Sequence, residues 1–63
     1  MIRVIYMVEG FTTDGDLYVR RYARNRKTAE RIARKVKRPD VEIEIVNVNK
    51  ADWYFVKRDW IEG

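Results

Sequence analysis

Hydrophobic and polar positions change period twice along this chain. From Met1 to Glu9, Ile2, Val4, Tyr6 and Val8 alternate with Arg3, Ile5 and Met7. A period of two with apolar residues on both sides predicts a central β-strand. Gly10 to Gly15 reads as a turn, because Asp14-Gly15 is a strong hairpin signal. Leu17 to Tyr22 is the returning strand, with Leu17 and Val19 on one side and Tyr18, Arg20 and Tyr22 on the other.

The period then lengthens to that of a helix. Between Asn25 and Arg38, Ala29, Ile32, Ala33 and Val36 share one face. Asn25 is a suitable N-cap, since its side chain can accept a hydrogen bond from a first-turn amide. Pro39 cannot continue the helix and disfavours helical geometry at Arg38. The predicted helix therefore runs from Arg26 to about Arg38. Alternation returns at Val41, Ile43 and Ile45, set between Glu42 and Glu44, which predicts a strand from Val41 to Val48. A polar turn over 47–52 then leads to a last predicted strand, Trp53 to Trp60.

The expected order is β-β-α-β-β, a single α+β domain spanning residues 1–63. Each strand pair is expected to form a hairpin. A right-handed crossover through the helix leaves room for the first strand between the second and third. The expectation is a four-stranded antiparallel sheet of order 2-1-3-4, with the helix on one face. The opposite face then carries Arg3, Ile5, Met7, Tyr18, Arg20, Tyr22, Tyr54 and Arg58.

Composition narrows what such a domain does. With 63 residues and no cysteine, the chain must rely on packing or self-association for stability. Histidine and serine are absent as well. No nucleophile–base pair and no metal-ligand spacing results, so neither an enzyme, a metal nor a cofactor is expected. Asp14-Gly15-Asp16 falls far short of a calcium loop. No apolar run approaches the ~18 residues of a membrane span. Together with the lack of cysteine and of a leader pattern, this leads us to expect a cytoplasmic protein.

Charge is strongly segregated behind a net value of +4. Residues 20–38 hold ten basic side chains against Glu30 alone, while both flanking stretches are net acidic. On a helical wheel, Lys27, Arg31, Arg34, Lys35 and Arg38 form a stripe roughly 100° wide, opposite the apolar face. The ordinary reading of such a stripe is a solvated surface. Two features argue for more. Solvated helices mix signs to gain i,i+4 pairs, and this one has a single acid. Arg24, Arg26 and Lys27 also crowd the helix start, where the macrodipole disfavours cations. Cations and open amides at a helix N-terminus suit an anion such as phosphate. The stretch from Arg20 to Lys27, continuous with the stripe, is the candidate contact patch.

The expected partner is nucleic acid, DNA or RNA, bound through phosphates by Arg20, Arg24, Arg26, Lys27, Arg31, Arg34, Lys35 and Arg38, without strong sequence preference. Tyr18, Tyr22 and Tyr54 on the sheet face suit either a homodimer contact, weighed slightly ahead, or base stacking. Trp53 and Phe55 read as core residues, and Trp60 as an edge or interface residue. The alternative is a small phage or archaeal accessory protein that binds or inhibits another protein. It would dock its basic face on an acidic surface and use the tyrosine-rich face for contact. Asn25 to Ala33 also resembles the alanine-spaced helix of the arm-type DNA-binding domains of phage integrases. Those domains place three strands before the helix, where two are predicted here.

Overall fold

The computed structural model describes residues 4–49 and 56–63, apart from the Arg58 side chain. Its elements are β1 (Val4–Thr12), β2 (Leu17–Ala23), α1 (Arg26–Val36), β3 (Val41–Asn49), a 3-10 turn (Arg58–Trp60) and β4 (Ile61–Glu62). They build a four-stranded sheet of order β3-β1-β2-β4 with one helix, an α+β fold. β1 is central and pairs antiparallel with both β2 and β3. That much matches the expected order 2-1-3.

The fourth strand corrects the expectation. β4 does not return beside β3; it pairs parallel with β2, Tyr22 facing Ile61 and Ala23 facing Glu62. The sheet is therefore mixed. The predicted strand Trp53 to Trp60 also fails in its second half, where Arg58–Trp60 is a 3-10 turn. Its first half, including Trp53, Tyr54 and Phe55, lies outside the described residues, as do Met1, Ile2 and Arg3.

The β1–β2 hairpin extends further than the sequence period suggests. β1 runs on to Thr12, and the turn is Thr13-Asp14-Gly15. The Gly15 amide donates to the Thr12 carbonyl at 2.9 Å, and the Thr12 amide to the Asp16 carbonyl at 2.9 Å. Gly15 takes φ +87°, a left-handed conformation that glycine adopts at least cost. Register slips at Gly10/Phe11, so that Gly10 faces Val19 while Phe11 faces Leu17. Tyr18 is the extra residue of this bulge. The slip separates Leu17 from Val19, which strict alternation places together.

Both faces of the sheet carry a core. On one face α1 sets Ala29 and Ile32 against Val8 and Ala23, with Tyr6, Ile43 and Ile45 packed around them. Burying a side chain such as Val8 contributes about 1.5–3 kcal/mol. Gly10 lies on this face, where three methyl groups of Val19, Val41 and Ile43 close over it. On the other face Ile5 and Tyr22 are buried beneath Val56, with Met7, Val48 and Ile61 alongside. The chain leaves β3 at one edge and re-enters the sheet at the other, with Val56 on the face opposite α1. The expected open sheet face is thus covered at this end.

Candidate functional site

The start of α1 is built as its sequence implies. Asn25, in extended geometry, accepts a hydrogen bond from the Thr28 amide at 2.8 Å through Oδ1. The first turn contains no acidic residue. The helix ends at Val36, with Lys37 extended as its C-cap, two residues before Pro39. Arg34 and Lys35 lie in the last turn, where cations suit the macrodipole.

Lys27, Arg31 and Arg34 fall on successive turns of the face opposite Ala29, Ile32 and Val36. With Asn25 and Thr28 they line one open cleft of about 260 Å³. Among the described residues, no carboxylate comes within 4.0 Å of these three cations. Thr28 is buried, 6% exposed, and its hydroxyl faces the last residue of the chain. A Cβ on Gly63 would lie 3.0 Å from Thr28 Oγ1. The approach of β4 therefore brings Gly63 to the base of α1.

The other five cations proposed from sequence are placed differently. Arg26 pairs with Glu30 at 3.2 Å, an exposed i,i+4 bridge. Arg38 donates through Nη1 to the Lys37 carbonyl at 2.9 Å, so its head is turned onto the helix C-terminus. Lys35 and Arg24 are exposed at the two ends of α1, and the Arg24 amide donates to the Glu62 carbonyl at 2.8 Å. Arg20 lies on the opposite face of the sheet, bound to Glu9 at 2.6 Å. A patch continuous from Arg20 to Lys27 is not what the fold produces, because strand alternation turns Arg20 away from the helix.

The tyrosines also divide. Tyr18 is 51% exposed at the bulge, whereas Tyr22 is 5% exposed and stacks on Trp60, with ring centroids 6.2 Å apart. Tyr22 does not present an open ring face, since the C-terminal segment covers it. Tyr54 lies outside the described residues. Sequence reasoning missed Arg21, which pairs with Glu62, and Thr28 as a cleft residue. The Arg21 pair depends on where β4 docks, which no local pattern announces, whereas Thr28 is set in place by the Asn25 cap three residues before it.

Among the described residues, no group of three metal-ligating side chains gathers. No helix among them is long and apolar enough to cross a membrane. No family model, no curated protein and no solved structure matches the chain.

Proposed function

We propose that this protein is a nucleic-acid-binding module that contacts phosphates through the outer face of α1, without strong sequence preference. The observation that carries this reading is the cleft along the outer face of α1, which Lys27, Arg31 and Arg34 line with no carboxylate of the described residues neutralising them. A helix used only for stability would place acids in its first turn. Phosphate contacts by side-chain cations position a protein on a strand but carry little base information. Arg24 and Lys35 extend the patch at its two ends, and no catalytic step is assigned to it.

The test is a salt titration of binding to duplex DNA, single-stranded DNA and RNA. Affinity should fall steeply with salt, and the double reversal Arg31→Glu/Arg34→Glu should abolish binding while the circular dichroism spectrum stays that of the folded protein. Binding that ignores salt, or that survives the reversal in a folded protein, sinks the proposal. The second reading, docking on an acidic protein surface, draws on the same cations. The observation in its favour is that Leu17, Tyr18 and Val46 remain exposed. Binding to an acidic protein, with none to any nucleic acid, would select it.

A further inference from the structure

A second cleft, of about 550 Å³, opens at the β2–β4 edge of the sheet, lined by Arg20, Arg21, Tyr22, Asp59, Trp60 and Glu62. Its centre is aromatic. Trp60 is 48% exposed and lies nearly parallel to the buried Tyr22 ring, at 13° between planes. The stack at 6.2 Å between centroids holds the indole by a ring that is itself packed under Val56. A tryptophan that remains half exposed while so firmly supported is a flat platform.

The walls are held as well. Arg20 binds Glu9 through Nε at 2.7 Å and through Nη2 at 2.6 Å. Arg21 binds Glu62 through Nε at 2.8 Å and also through Nη2. Each guanidinium is fixed by its carboxylate, and Nη1 is left as a donor among the described residues. Charge in this cleft is balanced, since Asp59 and Glu62 of its lining offset the two arginines. A balanced aromatic cleft suits a planar, neutral ring bearing polar edges better than it suits a phosphate. The Arg Nη1 groups supply donors and the Asp59 carboxylate supplies an acceptor for such edges. The Lys57 ammonium sits 5.6 Å from the Trp60 ring centre. An exposed cation–π contact is weaker than a base stacked on an aromatic ring, so a base would displace it.

We infer that this cleft takes one unpaired nucleobase, stacked on Trp60, and that the nucleic acid bound is therefore single-stranded. The inference rests on the phosphate-binding reading of α1, and it divides the work: the helix face takes phosphates and the Trp60 cleft takes a base. Stacking depends on an open π-face, which the paired bases inside a duplex do not offer.

Anisotropy titrations of a labelled single strand and of its duplex, each over a salt series, test this. Trp60→Ala should weaken single-strand binding about tenfold, leave the salt slope unchanged, and leave duplex binding as it was. Trp60→Phe keeps a ring against Tyr22 and should lose less, which separates stacking from damage to the fold. In Trp53→Phe, whose sole tryptophan is Trp60, the single strand should quench fluorescence and the duplex should not. Salt-dependent binding with no single-strand preference and no response to Trp60→Ala would overturn the stacking site and leave the helix reading standing. Absence of salt-dependent binding to any nucleic acid would overturn both.

Discussion

Replacing Lys27 by glutamate should make the protein more stable and a poorer binder. Lys27 occupies the second helical position, after Asn25 at the cap and Arg26. A cation there opposes the macrodipole and an anion is favoured, each by about 0.3–1 kcal/mol at low salt. The new carboxylate would also stand four residues before Arg31, an arrangement that adds about 0.2–0.5 kcal/mol. The Asn25–Thr28 cap bond does not involve the Lys27 side chain. The terms together come to about 0.8–2.5 kcal/mol, and each 1 kcal/mol raises Tm by about 4–8 °C in a domain of this size. Because the origin is electrostatic and exposed, the gain should shrink in 1 M salt.

Binding should move the other way. If Lys27, Arg31 and Arg34 each neutralise one phosphate of a single strand, the log–log salt slope they supply is about −2.1, or roughly an 18-fold loss from 50 to 200 mM salt. In the Lys27→Glu variant two contacts remain, the slope falls to about −1.4, and the same change of salt costs about 7-fold. Thermal melts followed by circular dichroism and anisotropy titrations at the two salt concentrations read both effects. A Tm that falls or stays put refutes the helix-end argument. A rise in Tm with an unchanged salt slope refutes the role given to Lys27 as a phosphate contact.

Two further substitutions probe the scaffold under the site. Asn25→Ala removes the 2.8 Å cap bond to Thr28 and should lower stability by about 1 kcal/mol, seen as a Tm drop of about 4–8 °C; Asn25→Asp should retain the cap, and a normal Tm in the alanine variant would mean the bond contributes nothing. Gly10→Ala places a methyl 2.9 Å from Val19 Cγ1, Val41 Cγ1 and Ile43 Cδ1. Valine is stiff at χ1, so overpacking of about 1–3 kcal/mol should outweigh the gain of about 0.4–1 kcal/mol from a less flexible unfolded chain; urea unfolding should show a lower midpoint, and a higher one would contradict the packing seen around Gly10.

How far the sequence reveals this fold depends on the range of the forces involved. The ends of α1 are legible because Asn25 and Pro39 act within one turn of their own positions. The central place of β1 is legible because apolar residues on both sides of a strand require cover on both faces. Strand parity even separates Arg20 from Arg21, and the fold keeps that separation, although charge counting merges Arg20 with the helix patch. The bulge at Tyr18 has no signature, so strict alternation assigns Leu17 to the wrong face. β4 has none either. Two residues carry no period, and the aromatic alternation from Trp53 to Trp60 imitates a hairpin partner for β3.

What replaces that hairpin explains why the second cleft exists. The crossover from β2 through α1 to β3 moves one way across the sheet, on the helix face. β4 lies at the other edge of the sheet, and Val56, shortly before it, packs on the face opposite α1. A β3–β4 hairpin would have left Ile5 and Tyr22 facing water and the β2 edge unpaired. Parallel docking of β4 buries Ile5 and Tyr22 under Val56, covers that edge, and delivers Trp60, Glu62 and Gly63 to their places. Trp60 then meets Tyr22, Glu62 meets Arg21, and Gly63 meets Thr28. The C-terminal segment thus lines the Trp60 cleft and reaches Thr28 at the base of α1, so a substitution that loosens β4, such as Arg21→Ala, should act on the proposed base site and the proposed phosphate site together, whereas Trp60→Ala and Lys27→Glu should act on one each.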